Sequence, residues 1–99
     1  MSPIISESEE NPVVLLFTAE WLGSAHILET FFQELAPDYP NLVIYKIDVD
    51  SNQELPTQFG VSQVPTTVFL RDGEIREYVP GVLSKRKLRL KFQSLLEEA

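Results

Sequence analysis

The 99-residue chain contains no cysteine. That absence excludes disulfides, thiolate metal sites, iron–sulfur clusters and every redox reaction that passes through a cysteine thiolate. A single histidine, His26, argues against a histidine-built metal site, and no metal or other cofactor is expected. Long apolar runs are missing as well. No stretch approaches the ~20 residues of a membrane helix, so no membrane partner is expected. Residues 1–11 are acidic and polar, unlike the basic and then apolar pattern of a secretory leader. Together these features predict a cytoplasmic protein. Bases are scarce through most of the chain. Before residue 71 one base, Lys46, stands against ten acids, for −9, and from Arg71 onward seven bases meet five acids, for +2, which makes the total −7. An acidic body with a basic C-terminal segment argues against nucleic-acid binding.

What is present has an ordinary globular balance, 43% hydrophobic and 23% charged. A chain of this length builds one core and not two, so a single domain over 1–99 is expected, with 1–12 a short acidic N-terminal segment. There is no internal repeat, low-complexity stretch or linker.

Val13–Thr18 is an apolar run of strand formers, which predicts a strand covered on both faces. Ile27, Leu28, Phe31, Phe32 and Leu35 recur at helical spacing, leaving Glu29, Gln33 and Glu34 for solvent. Tyr39-Pro40-Asn41 then breaks the chain before a second strand, Leu42–Val49. Asp50 or Ser51 fits the N-cap of a short helix that carries Leu55 and Phe59 and stops at Gly60. Two further strands, Thr66–Leu70 and Ile75–Val79, flank Arg71-Asp72-Gly73-Glu74, where Asp-Gly predicts a tight hairpin. Ser84 caps a last helix whose Leu88, Phe92, Leu95 and Leu96 share one face. The order predicts an α/β fold with a central mixed sheet between helices.

That order, together with a set of short markers, resembles the thioredoxin family. The markers are Ala19-Glu20-Trp21 before a turn, Lys46-Ile47-Asp48-Val49-Asp50, Phe59-Gly60-Val61, Val64-Pro65-Thr66, Asp72-Gly73 and Val79-Pro80-Gly81. None is specific alone, but their order and spacing across Val13 to Leu96 are. The resemblance implies a thioredoxin-like fold with a cis peptide at Val64–Pro65, facing the turn at the start of the first major helix. A rigid turn there would leave the backbone of Val64 free to pair with a ligand.

The departures from the family decide the functional expectation. Where thioredoxins carry Trp-Cys-Gly-Pro-Cys, this chain reads Trp21-Leu22-Gly23-Ser24-Ala25. The attacking and resolving cysteines have become Leu22 and Ala25, so thiol–disulfide exchange has no first step. The family's buried acid falls on Leu16, and its lysine neighbour survives as Lys46, which must snorkel or find another acid. Only twelve residues precede Val13, where the family places a strand and a helix. Ile4-Ile5 could supply a short strand, whereas Glu7–Asn11 is too short and acidic for a full helix. Leu42–Val49 would then be a free edge, open to another chain or to a second copy in a homodimer.

The leading expectation is a redox-inactive, non-enzymatic protein that binds another protein or an extended peptide, as an adaptor or assembly factor. Its groove would lie between Trp21, Leu22, Gly23, Ser24 and Ala25 on one side and Val64 and Pro65 on the other. The second is an oxidoreductase by ancestry, within cell redox homeostasis by descent, whose disulfide chemistry is lost. A third is a hydrolase built on Ser24 and His26. It is disfavoured because residues two apart on a helix do not face each other, and no acid is placed to orient His26. A capping Ser24 followed by an exposed His26 is preferred. Lys85, Arg86 and Lys87 fall in the first turn of the last helix, where the dipole disfavours cations. Glu97 and Glu98 sit at its equally unfavoured far end. Core packing of this helix is the first explanation, and an electrostatic patch for an acidic partner the second.

Overall fold

Strands and helices alternate up to a closing β-hairpin and helix in the computed structural model, which describes residues 3–97. They are α1 (Pro3–Ser8), β1 (Val13–Thr18), α2 (Gly23–Leu35), a 3-10 turn (Ala36–Asp38), β2 (Val43–Asp48), α3 (Glu54–Gln58), β3 (Thr66–Arg71), β4 (Glu74–Pro80) and α4 (Lys85–Glu97). The sheet order is β2-β1-β3-β4, with β1 parallel to β2 and antiparallel to β3, and β3 antiparallel to β4. This is a thioredoxin fold. Glu98, the last of the acids assigned to the end of α4, lies outside the described residues. Among the described residues no helix is long and apolar enough to cross a membrane.

β1 is buried along its whole length because both faces of the sheet are covered. Val14 and Leu16 point to one side, into a cluster with Leu28, Phe32 and Leu35 of α2 and Leu88, Phe92 and Leu95 of α4. Val13, Leu15 and Phe17 point to the other, against Phe59, Val68 and Leu70. Phe92 holds the first cluster together, with its ring centroid 5.5 Å from that of Phe32, 5.4 Å from Tyr39 and 6.5 Å from Phe69. On α2 the buried stripe is Ala25, Leu28, Phe32 and Leu35, so Ile27 lies about 100° off it and is 53% exposed.

The hairpin forms as its Asp-Gly pair requires. Asp72 (φ 55°) and Gly73 (φ 77°) both take the left-handed backbone of a two-residue turn. Ser84 caps α4, its hydroxyl accepting the Lys87 N–H at 3.2 Å. The second strand is one residue shorter at each end than expected.

Two local expectations are corrected. Ile4 and Ile5 lie in the helix α1 and not in a strand. Pro3 suits its first turn, where no N–H is needed, and both isoleucines pack against the second core cluster. Its end is tied down by tertiary bonds. Ser8 Oγ donates to the Ile5 carbonyl at 2.7 Å and accepts the Gly73 N–H at 3.1 Å, and the Ser8 carbonyl accepts the Asp72 N–H at 2.8 Å. Tyr45 also donates its hydroxyl to Glu7, which joins α1 to the edge strand β2. The short helix α3 begins at Glu54, later than Asp50 or Ser51. Asp48 draws those residues into a turn, its side chain accepting the Asp50 N–H at 2.8 Å, and Asn52 Oδ1 takes the Leu55 N–H at 3.2 Å.

Candidate functional site

The strand directions gather four loops at one end of the sheet. β1 and β2 run parallel, so the residues after Thr18 and after Asp48 leave side by side, and Val49 N–H donates to the Thr18 carbonyl at 3.0 Å. β3 runs the other way, with Thr66 opposite Phe17 and also opposite Pro80 of β4. Ala19–Leu22, Val49-Asp50, Val64-Pro65 and Gly81-Val82 therefore converge. Gly81 N–H donates to the Pro65 carbonyl at 2.8 Å, joining the last two.

Trp21 is 70% exposed, and its indole Nε1–H donates to Asp50 Oδ2 at 2.8 Å. The indole is thus fixed at one edge while its faces stay in solvent. Leu22 is half-buried at the N-cap of α2, in extended backbone (φ −103°, ψ 112°), and supplies no side-chain cap. Its carbonyl accepts the Ala25 N–H at 3.1 Å. Gly23 is exposed, and Ala25 is fully buried. Ser24 does not cap the helix. It lies one residue past the helix start, inside the first turn, where its hydroxyl is not placed to meet the free N–H groups.

In the loop that leads into β3, the Val64–Pro65 bond is cis. Val64 is half-buried, Pro65 is buried, and Thr66 Oγ1 donates to the Gln63 carbonyl at 2.8 Å. Neither the N–H nor the C=O of Val64 has a hydrogen-bond partner among the described residues. A cavity of about 160 Å³ opens beside it, lined by Val49, Pro56, Val61, Ser62, Gln63 and Val64.

His26 has an acid to orient it, contrary to the sequence expectation. Nδ1 lies 3.0 Å from Glu29 Oε2, and Nε2 lies 2.6 Å from the Glu20 carbonyl oxygen. The Glu20 carbonyl bond raises the His26 pKa most, and burial opposes it while Glu29 adds to the rise. Both ring nitrogens are engaged, and Ser24 bonds to neither. The geometry of a serine nucleophile beside its base is not there.

Glu29 also answers the question posed by Lys46. Its Oε1 is 3.4 Å from Lys46 Nζ, and the Lys46 side chain remains 61% exposed. Leu16, at the position of the family's acid, is buried in the first core cluster. Sequence spacing could have found the His26–Glu29 pair, since residues three apart on a helix are neighbours. The Trp21–Asp50 bond joins residues 29 apart and is visible only once β1 and β2 are known to be parallel neighbours.

Of Lys85, Arg86 and Lys87, the first is paired with Glu34 at 3.2 Å. The other two are exposed and without an ion-pair partner among the described residues.

Residues 3–94 match the family model described as Thioredoxin. Thioredoxin of Haemophilus influenzae is 37% identical over 78 residues, covering 78% of this chain and 73% of that protein. Thioredoxin of Pseudomonas aeruginosa is 34% identical over 80 residues, covering 80% and 74%. Among solved structures, a mutant thioredoxin from Halobacterium salinarum superposes with a TM-score of 0.84 at 35% identity, covering 94% of this chain and 81% of that one.

Proposed function

We infer that this chain, which belongs to the thioredoxin family, no longer performs thiol–disulfide exchange and acts as a docking module for an extended polypeptide segment. Exchange begins with attack by a thiolate, and neither Leu22 nor Ala25 has a nucleophilic or ionisable atom. What remains at the end of the sheet is a binding geometry. One observation carries the reading: Val64 has an N–H and a C=O without a partner among the described residues, at the same end of the sheet as the exposed indole of Trp21 and the half-buried Leu22. An extended segment laid along Val64 would gain backbone hydrogen bonds as an added strand does, and its side chains would meet Leu22, Trp21 and the adjoining cavity. In this role the chain is an adaptor or assembly factor for another protein.

The test uses an array of immobilised extended peptides, probed with wild type and with Leu22→Asp. The substitution places a charge in the contact yet supplies the N-cap side chain that α2 lacks, so folding is expected to hold or improve. Binding is expected to weaken by about tenfold or more, the usual order for a charge set in an apolar contact. Ser24→Ala should bind as wild type does. Equal binding by a well-folded Leu22→Asp protein overturns the assignment.

A further inference from the structure

A second surface lies on the outer side of α4. A groove of about 350 Å³ is lined by Leu83, Lys87, Leu90 and Lys91. Leu90 is 51% exposed, and Val82, just before the helix, is 47% exposed. On a helix the residues three and four before Leu90 are its neighbours, so Lys87 and Arg86 stand one turn above it on the same side.

These two cations differ from the other bases. Lys46, Arg76, Lys85, Arg89 and Lys91 each lie against a carboxylate, and Arg71 donates to the Leu95 carbonyl. Arg86 and Lys87 have no such partner among the described residues. They also stand where the helix dipole opposes positive charge, and no acid lies in that first turn to compensate. Packing does not explain them, since both side chains are exposed.

We propose that the groove of Leu83 and Leu90, rimmed by Arg86 and Lys87, docks an acidic amphipathic protein segment. An apolar side chain of that segment would enter the groove, and its carboxylates would pair with the two free cations. Charge complementarity fixes the class of partner. The long-range field of a −7 chain repels acidic molecules, but beyond ~10 Å that field is screened at ordinary salt, and an acidic segment is favoured only where these cations stand. An anionic bilayer fits less well. It would bring a broad negative plane against a body of −9, and the apolar stripe of α4 is already spent on the core.

The probe is a fluorescein-labelled synthetic peptide of about twelve residues, three helical turns, acidic except for leucines at helical spacing, with a basic peptide of the same pattern as control. Saturable binding is expected for the acidic peptide alone, with amide shifts centred on Val82, Lys87 and Leu90 in NMR spectra. The Arg86→Glu/Lys87→Glu variant should weaken it about fivefold or more, as loss of rim charges does. Leu90→Ser should weaken it independently. Because glutamates suit the first turn of a helix, the charge-reversed protein should be as stable as wild type or more so, which separates lost binding from lost fold. Each of four outcomes overturns the proposal: no saturable binding, unchanged binding by either variant, shifts centred elsewhere, or binding to vesicles containing one-third phosphatidylserine in preference to the peptide. Concentration-dependent dimerisation blocked by Arg86→Glu/Lys87→Glu would replace the foreign segment with a second copy and also overturn it.

Discussion

The imidazole Nε2 of His26 lies 2.6 Å from the carbonyl oxygen of Glu20, one residue before the exposed Trp21. Nδ1 meets the Glu29 carboxylate at the same time. Both partners can only accept a hydrogen bond, and a neutral imidazole has a single N–H. Both bonds therefore coexist only in the imidazolium form, which ties the Trp21 turn to α2.

The first prediction follows from the sign of that linkage. The Glu20 carbonyl, chiefly, and then Glu29 raise the His26 pKa above its ordinary value near 6.5 against the effect of burial. The stabilisation is then fully present below the unfolded value and is lost as pH rises through the folded one. The melting temperature of wild type should exceed that of His26→Ala by more at about pH 5.5 than at about pH 8.5. Trp21 emission should titrate in wild type and not in the variant. A pH-independent difference in melting temperature would show that His26 carries no such linkage.

Thr66 and Thr67 should respond in opposite ways to valine. The Thr67 hydroxyl is buried without a partner among the described residues, whereas Thr66 donates to the Gln63 carbonyl. Thr67→Val should stabilise the protein by about 1 kcal/mol and Thr66→Val destabilise it by about as much. Urea midpoints of the two variants measure this, and a fall for Thr67→Val contradicts it.

Much of the architecture could be read directly. β1 announced itself as a buried strand because both its faces are covered, and the β3–β4 turn did so through Asp72-Gly73, whose backbone few other pairs adopt. The exposure of Trp21 and the cis bond at Val64–Pro65 were legible from short markers, Ala19-Glu20-Trp21 and Val64-Pro65-Thr66. What could not be read depends on contacts distant in sequence. A helix of six residues cannot sustain itself, so nothing local distinguishes α1 from a strand, and the Ser8–Gly73 bond that fixes it spans 65 positions. The same holds for Asp50 beside Trp21, where topology and not composition supplies the neighbour. Glu29 was assigned to solvent because its spacing from the core stripe is polar, yet it serves His26 and Lys46 together.

Ser8→Ala tests how α1 is held. It removes the acceptor of the Gly73 N–H and the bond to Ile5. A loss of about 1–3 kcal/mol is expected, the cost of leaving such a group unpaired. Amide exchange should quicken at Gly73 in the variant. A stability equal to wild type would mean that α1 is held without the Ser8 hydroxyl, by its backbone bond to Asp72, the Tyr45–Glu7 bond and the packing of Ile4 and Ile5.

Cysteines at positions 22 and 25 should give this fold a thiol–disulfide exchange that the wild type is expected to lack. The Leu22→Cys/Ala25→Cys protein would place a thiol at the start of α2, where a thiolate is stabilised. Insulin reduction should rise above the blank for this variant and not for wild type. The rate should remain on the order of 10²-fold below an ordinary thioredoxin, because Leu16 cannot pass a proton. Turnover by wild type would refute the loss of exchange, and a full rate in the variant would refute the part given to Leu16.

The bond from Ser8 to Gly73 also sets an order on biosynthesis. The turn that receives α1 emerges 65 residues after Ser8. At about 5–20 residues per second, α1 waits roughly 3–13 s for its anchor, on or near the ribosome. A helix this short spends that interval as coil, with Ile4 and Ile5 open to water or to a chaperone. Closure of α1 onto the hairpin thus waits for residue 73 to be made, and a pause in translation before it prolongs the exposed state.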